Sequence, residues 1–151
     1  MNTPQSPDKP ADKPARPASA PRKIPAPRTL PETAAYWLAA DEGRLLVKRC
    51  SACGQHHHYP RDICPHCLSD ATEWRDAAGT GTVYAFSTMG AGEAAYTLAL
   101  VTLDEGVTMM TNLVNADGAD PATFAIGQRV QVVFKPSDGG HAVPMFTPAT
   151  T

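Results

Sequence analysis

Cys50-Ser51-Ala52-Cys53-Gly54, followed by Cys64-Pro65-His66-Cys67 with ten residues between Cys53 and Cys64, decides the reading of this chain. The two segments hold all four of its cysteines. Paired C-x-x-C motifs at this separation predict two tight knuckles that turn four thiolates toward one point. Four soft sulfur donors suit one tetrahedral Zn²⁺ with no open coordination position, so the metal is expected to be structural. Iron in the same thiolate set remains the competing metal, because ligand softness alone does not separate the two. Two disulfides fit less well, since C-x-x-C spacing in a reducing compartment favours metal or redox work. Gly54 suits the turn after the second thiolate, where φ is often positive. His56, His57 and His58 lie between the pairs and His66 lies inside the second. With four cysteines filling the site, these histidines are expected on solvent-facing strand or turn positions.

The chain has 151 residues and a net charge of −2. That charge is unevenly spread: residues 1–28 carry six Lys/Arg against two Asp, and the rest is acidic. An acidic folded part argues against a surface that tracks phosphates. No apolar run is long enough to span a bilayer. The first residues lack the apolar segment of a signal peptide, so a cytoplasmic, reducing location is expected.

Residues 1–28 hold eight of the 15 prolines. Pro, Ala, Lys and Arg dominate them, and they lack the apolar residues that offset ordering entropy. A disordered tail with polyproline II character is expected. Residues 32–43 form a short helix with its stop: Thr29 or Thr33 can cap it and Gly43 ends it. Tyr36, Trp37 and Leu38 make this helix apolar, either for packing inward or for anchoring a partner. Residues 44–76 form the zinc ribbon, entered by the strand Arg44–Arg49 and left past Trp74, which lies over the junction with the next module.

Residues 77–148 read as β. After the turn at Gly79-Thr80-Gly81, strands are expected at Thr82–Thr88, Tyr96–Leu103, Val107–Asn115, Arg129–Phe134 and His141–Thr147. Val130, Val132 and Phe134 alternate onto one face. Pro144 marks an edge or bulge. A short turn or helix at Pro121–Phe124 separates the third and fourth strands. Five strands with that interruption predict a small closed barrel of the OB type. The fold class is therefore mainly β: a Cys₄ zinc ribbon followed by a five-stranded OB barrel, with a short N-terminal helix and a proline-rich tail.

The order of these elements resembles a known family: bacterial and archaeal proteins that join an N-terminal helix, a rubredoxin-like zinc ribbon and an OB-fold, and that associate with acyl-CoA enzymes. The resemblance covers roughly residues 32–148. It rests on Tyr36-Trp37, Cys50-x-x-Cys53-Gly54, Pro60-Arg61-x-x-Cys64-Pro65-x-Cys67, Trp74 and Gly79-x-Gly81-x-Val83-Tyr84-x-Phe86. It continues through Leu103-Asp104-Glu105-Gly106, Asn112-Leu113-Val114, Ile126-Gly127-x-x-Val130-x-Val132-x-Phe134 and Pro144-x-Phe146. The resemblance implies a non-catalytic accessory subunit that completes the acyl-CoA site of a thiolase-type enzyme, or of a MaoC-type hydratase. Carried over by position, it makes Cys50, Cys53, Cys64 and Cys67 the ligands of one structural zinc per chain. It offers Tyr36 and Trp37 as contacts to the partner or to a shared CoA thioester. The loop Met89–Ala95 is short and glycine-rich where relatives often carry a longer one.

No Ser-His-Asp order and no phosphate-cradling glycine loop stands out. Gly90-Ala91-Gly92 lacks the βαβ surroundings of a nucleotide fingerprint. Asp104-Glu105-Gly106 reads as a hairpin turn rather than an acid/base pair. The competing function is a single-stranded nucleic-acid binder, since Tyr84, Phe86 and Tyr96 offer rings for stacking. Basic partners for them are sparse between residues 79 and 128, so nucleic acid is not the expected ligand.

Overall fold

The computed structural model describes residues 23–90, 95–115 and 124–149. The tail before residue 23, most of the Met89–Ala95 loop and residues 121–123 of the expected turn or helix lie outside them. A 3₁₀ turn, Pro31–Thr33, leads into helix α1, Ala34–Asp41. Thr33 occupies the N-cap position, but its side chain does not cap. Its hydroxyl donates to the Leu30 carbonyl and accepts the Leu30 N–H, both at 3.1 Å, tying the 3₁₀ turn instead. Gly43, at φ +75°, ends the helix. The Arg44 N–H reaches the Ala39 carbonyl at 2.8 Å and the Gly43 N–H reaches that of Ala40 at 3.0 Å. That paired closure is a Schellman motif, and it needs a left-handed residue at this position.

The chain then enters β1, Leu46–Cys50, which is the centre of a three-stranded antiparallel sheet. Its neighbours are β2, His56–His57, and β3, Thr72–Asp76. Strands β4, Thr80–Met89, β5, Tyr96–Leu103, β6, Thr108–Leu113, β7, Arg129–Lys135, and β8, Val143–Pro148, form the second unit. They close a barrel in the order β4-β5-β6-β8-β7, with β7 returning to pair with β4. This is the five-stranded OB barrel. The β6–β8 seam is parallel and carries the single ladder pair Leu113 with Phe146. Pro144 therefore sits not on an edge strand but in β8, between β6 and β7, beside that short seam. The Thr111 hydroxyl donates to its carbonyl at 3.1 Å.

Gly81 is not a turn residue. It lies within β4 opposite Leu103, and a Cβ there would sit 2.6 Å from the Thr102 carbonyl oxygen. Glycine is needed because another strand's backbone approaches too closely for any side chain. Further along β4 the register slips between Val83 and Ala85, leaving Tyr84 as an extra residue, 66% exposed. Such a bulge reverses the in-out alternation. Val83 and Phe86 thus both face the core despite their odd spacing.

One buried apolar cluster runs through the whole body. Tyr36 and Trp37 of α1, Leu46 and Val47 of β1, and Val101, Val130 and Phe146 of the barrel belong to it. Polar ties reinforce the joint between helix and barrel. The Asp41 carboxylate accepts the Ala142 N–H at 2.8 Å and lies 2.6 Å from His141 Nδ1.

Residues 23–28 differ from the expected disorder. Residues 24–26 run beside the β7–β8 turn, with the Asp138 N–H donating to the Ile24 carbonyl at 2.8 Å. Lys23 Nζ lies 3.2 Å from Asp138. Ala26 packs so close to Gly140 that a Cβ there would meet it at 2.6 Å. A backbone bond and a close glycine contact hold this segment where its composition alone offered no core to join.

The close approach at Gly81 sets a test. Gly81→Ala should destabilise the chain by about 1–3 kcal/mol, because the opposing group is backbone and cannot rotate away. Gly106→Ala, at a positive-φ turn with open space around it, should cost about 1 kcal/mol. Urea unfolding of the two variants separates the two effects.

Candidate metal centre

The four cysteines come together from two knuckles with the same backbone bonding. In the first, the Gly54 N–H donates to the Cys50 carbonyl at 2.8 Å and the Cys50 N–H to the Gln55 carbonyl at 2.9 Å. In the second, the Leu68 N–H donates to the Cys64 carbonyl at 3.0 Å and the Cys64 N–H to the Ser69 carbonyl at 2.8 Å. The residue four after the leading cysteine takes a left-handed conformation in both: Gly54 at φ +76° and Leu68 at φ +63°. Glycine meets that demand without strain. Leucine does not, and Leu68 is 78% exposed, so no packing offsets it.

The ligand atoms of Cys50, Cys53, Cys64 and Cys67 all lie within 4.8 Å of one another. Cys50 Sγ is 3.6 Å from Cys67 Sγ, and Cys53 Sγ is 3.7 Å from Cys64 Sγ. Sulfurs placed about 2.3 Å from a tetrahedral zinc are about 3.8 Å apart. All four cysteines are free rather than disulfide-bonded. The donor set and its spacing thus fit a Zn²⁺ ion.

The charge state of the cluster points the same way. Backbone N–H groups of Cys53 and Ala52 favour the Cys50 thiolate and lower its pKa to about 7. At Cys67 the Ser69 N–H also favours the thiolate. Its sulfur neighbours Cys53, Cys50 and Cys64, together with desolvation, nonetheless push that thiol up to about 12. Four negative sulfurs cannot share this volume by themselves; a dication at the centre would relieve the repulsion.

The histidines lie outside this ligand cluster, but two of them depart from the solvent-facing expectation. His57 is 3% exposed, pairs with Lys48 across β1 and β2, and sets Nε2 3.3 Å from the Arg61 carbonyl. Its Nδ1 has no hydrogen-bond partner among the described residues. Desolvation lowers its pKa, as it does for His58, which falls to about 4. The half-buried His58 ring stands against Tyr36, with Nε2 3.4 Å from the phenol oxygen. His56 is half-buried, and His66 is exposed with Nε2 3.3 Å from the His56 carbonyl.

Tyr36 and Trp37 lie inward, 3% and 8% exposed, edge to face with ring centroids 4.9 Å apart. Tyr59 joins them 6.1 Å from Tyr36. Burial pushes the Tyr36 hydroxyl well above the usual phenol range, so it remains protonated. The rings expected to meet a partner or CoA are thus spent on holding α1 against the ribbon. Leu38, 57% exposed, is the large apolar side chain of α1 that faces outward.

Lys48 was not singled out from its residue type, yet it is 5% exposed. Its ammonium lies 3.4 Å from Asp62, 3.3 Å from the Thr72 hydroxyl and 4.5 Å above the Trp74 ring. It ties the segment between the knuckles to the sheet. The signal available for it was its place in strand β1, two residues before Cys50, where a side chain faces inward.

On the barrel, Asp104 pins the β5–β6 turn to two other strands. Arg129 forks onto its carboxylate at 2.7 and 2.8 Å, and the Thr80 hydroxyl donates to it. These partners hold the Asp104 carboxyl well below the usual carboxylate range. Glu105 accepts the Ala78 N–H at 2.6 Å. The D-E-G segment is a structural turn, as its composition predicts. Arg129 is thereby committed to a carboxylate rather than presented to a phosphate. No helix among the described residues is long and apolar enough to cross a membrane.

A small zinc ribbon joined to an OB barrel is the class of protein this geometry defines. Residues 37–73 match the family model for the ChsH2 rubredoxin-like zinc ribbon domain, and residues 74–135 match that for the ChsH2 C-terminal OB-fold domain. The chain belongs to this DUF35 family of ChsH2-type proteins. A "Probable enoyl-CoA hydratase alpha subunit" of Thermomonospora curvata is 39% identical over 121 residues, which is 76% of this chain. The match spans only 37% of that relative's length. A "DUF35 domain-containing scaffold protein" of Methanocaldococcus jannaschii is 30% identical over 99 residues, covering 60% of this chain and 67% of that protein. Among solved structures, a chain of an "Ltp2-ChsH2(DUF35) aldolase" superposes with a TM-score of 0.70 and 36% identity. That superposition covers 82% of this chain and 99% of the other. A DUF35 protein from Sulfolobus solfataricus, 12% identical with a TM-score of 0.58, shares the fold.

Two outcomes follow from the ribbon. Leu68→Gly should raise the stability of the metal-loaded chain by about 1 kcal/mol, read from thermal melts, because it removes left-handed strain. The unfolded His58 imidazole takes up a proton near its ordinary value, but the folded one does so only near 4. Stability from this group is therefore complete above about pH 6.5 and is lost as pH falls toward 4. Between pH 6.5 and 5, His58→Gln should lose about 1–2 kcal/mol less stability than the parent chain in paired urea titrations.

Proposed function

We propose that this chain is a non-catalytic accessory subunit that binds a thiolase-type acyl-CoA enzyme and completes its acyl-CoA site. The observation that carries this reading is the likeness to the chain of the Ltp2-ChsH2(DUF35) aldolase, which spans 99% of that chain at 36% identity. The scaffold protein of Methanocaldococcus jannaschii supports the same role. In this reading the nucleophile and base belong to the partner. The accessory chain contributes a wall that excludes water from the reacting thioester. Cys50, Cys53, Cys64 and Cys67 hold one structural zinc, which fixes the two knuckles to each other and thereby the ribbon sheet on which α1 and the barrel rest.

A second reading has one observation in its favour. The relative from Thermomonospora curvata is described as a hydratase alpha subunit, and this chain matches 37% of its length. A partner of the MaoC hydratase type would place the same accessory role beside water addition to an enoyl thioester.

The partner test is affinity capture of the tagged full chain from its native extract, with mass spectrometry of what is retained. A thiolase-fold enzyme in near-stoichiometric amount is expected. That enzyme, freed of this chain, should lose at least about tenfold of its activity on CoA thioesters and regain it on reconstitution. Full activity of the partner alone would overturn the accessory role, and capture of a hydratase would select the second reading. The zinc is tested separately. Cys53→Ser should abolish stoichiometric zinc in the purified protein and loosen the ribbon, because a structural site contributes about 10 kcal/mol or more to folding in small modules.

A further inference from the structure

We propose that the cysteine cluster is also a peroxide-sensitive modification site, at which Cys53 and Cys67 are oxidised first and disulfides then form between the knuckles, Cys53 with Cys64 and Cys50 with Cys67. The proposal rests on the zinc reading above and goes beyond it.

Two observations carry it. Cys53 and Cys67 are exposed, whereas Cys50 and Cys64 are buried. Two sulfur–sulfur approaches each join one exposed and one buried cysteine: 3.7 Å for Cys53 and Cys64, 3.6 Å for Cys50 and Cys67. Both approaches run from one knuckle to the other rather than along a single C-x-x-C motif. Each exposed cysteine thus has a buried cysteine on the other knuckle whose sulfur is already close to its own. Oxidation susceptibility follows thiolate character and access, and zinc ligation keeps all four sulfurs as thiolates.

The step balances with hydrogen peroxide as the oxidant. The Cys53 thiolate attacks one peroxide oxygen, the O–O bond breaks, and hydroxide leaves to become water. Cys53 is now a sulfenic acid. The Cys64 thiolate attacks the Cys53 sulfur, the S–S bond forms, and the S–OH bond breaks with loss of a second hydroxide, also protonated to water. Two sulfurs lose two electrons in total, and one peroxide gains them. With two of four thiolates spent, the remaining pair would no longer hold a zinc ion, and its release is expected. Cys67 and Cys50 react in the same way with a second peroxide. A bond between knuckles replaces the tie the metal made, so the ribbon keeps its two halves together and a dithiol can restore the site. A bond within one knuckle would leave the halves unlinked.

The sequence supplies a decisive readout. Trypsin cleaves after Arg49, Arg61 and Arg75, so Cys50 and Cys53 fall on one peptide and Cys64 and Cys67 on the next. Disulfides between knuckles join these peptides; disulfides within a knuckle leave them separate. The experiment takes the full chain with its zinc content measured, adds hydrogen peroxide in small excess, follows zinc release with a chromophoric chelator and maps the blocked, digested protein by mass spectrometry. A parallel sample with dimedone present traps sulfenic acids. The expected result is loss of zinc in step with a joined peptide pair whose fragments show Cys53–Cys64 or Cys50–Cys67, with dimedone on Cys53 or Cys67. Separate peptides each carrying an internal disulfide would overturn the proposal, as would dimedone on Cys50 or Cys64. Retention of zinc under peroxide that oxidises a free thiol would do the same. A chain that carries no zinc before peroxide would sink the zinc reading instead, and the peptide map would still decide the pairing.

Discussion

Four sulfur atoms within 4.8 Å of one another form an arrangement that apolar packing alone would not create. Ionised, they repel; protonated, they are small weak groups with little to hold them together. The backbone prepares the convergence by giving both knuckles the same pair of hydrogen bonds around a left-handed residue. A dication at the centre would complete it. The ribbon needs this tie because its own sheet is slight: β2 contributes only two residues. What the ribbon offers the rest of the chain is a rigid sheet, with Leu46 and Val47 on β1 buried against its neighbours.

Helix and barrel are fastened to that sheet by different chemistry. The helix is held by rings, with Tyr36 meeting Trp37, His58 and Tyr59. The barrel is held by a shared apolar cluster and, through the helix, by Asp41 reaching His141 and the Ala142 N–H. Within the barrel, the bulge at Tyr84 and the Asp104–Arg129 fork settle how five strands close. The bulge rotates the second half of β4 so that Phe86 meets Phe124, their rings 6.5 Å apart. The fork carries the β5–β6 turn onto the β4–β7 seam. The three parts thus share one continuous core.

Much of this was legible in order along the chain. Cysteine spacing predicted the ribbon because ligand geometry leaves few ways to bring four thiolates together. Strand alternation predicted the five barrel strands, and Val130, Val132 and Phe134 do face the core. The D-E-G turn was recognisable because its residues favour turns whatever surrounds them. These features depend on neighbours within a few residues, so the sequence by itself determined them.

Only tertiary structure decided the rest, because it depended on groups far apart in sequence. Gly81 looked like part of a turn, and the Thr102 backbone makes it a strand glycine. Lys48 carried no signal of burial in its residue type, and Asp62, Thr72 and Trp74 supply the partners that let it be buried. Tyr36 and Trp37 were equally suited to a partner or a core, and the ribbon loop at His58 and Tyr59 takes them inward. Burial is a property of what a side chain meets rather than of what it is, and for these residues the meeting place is assembled by the fold.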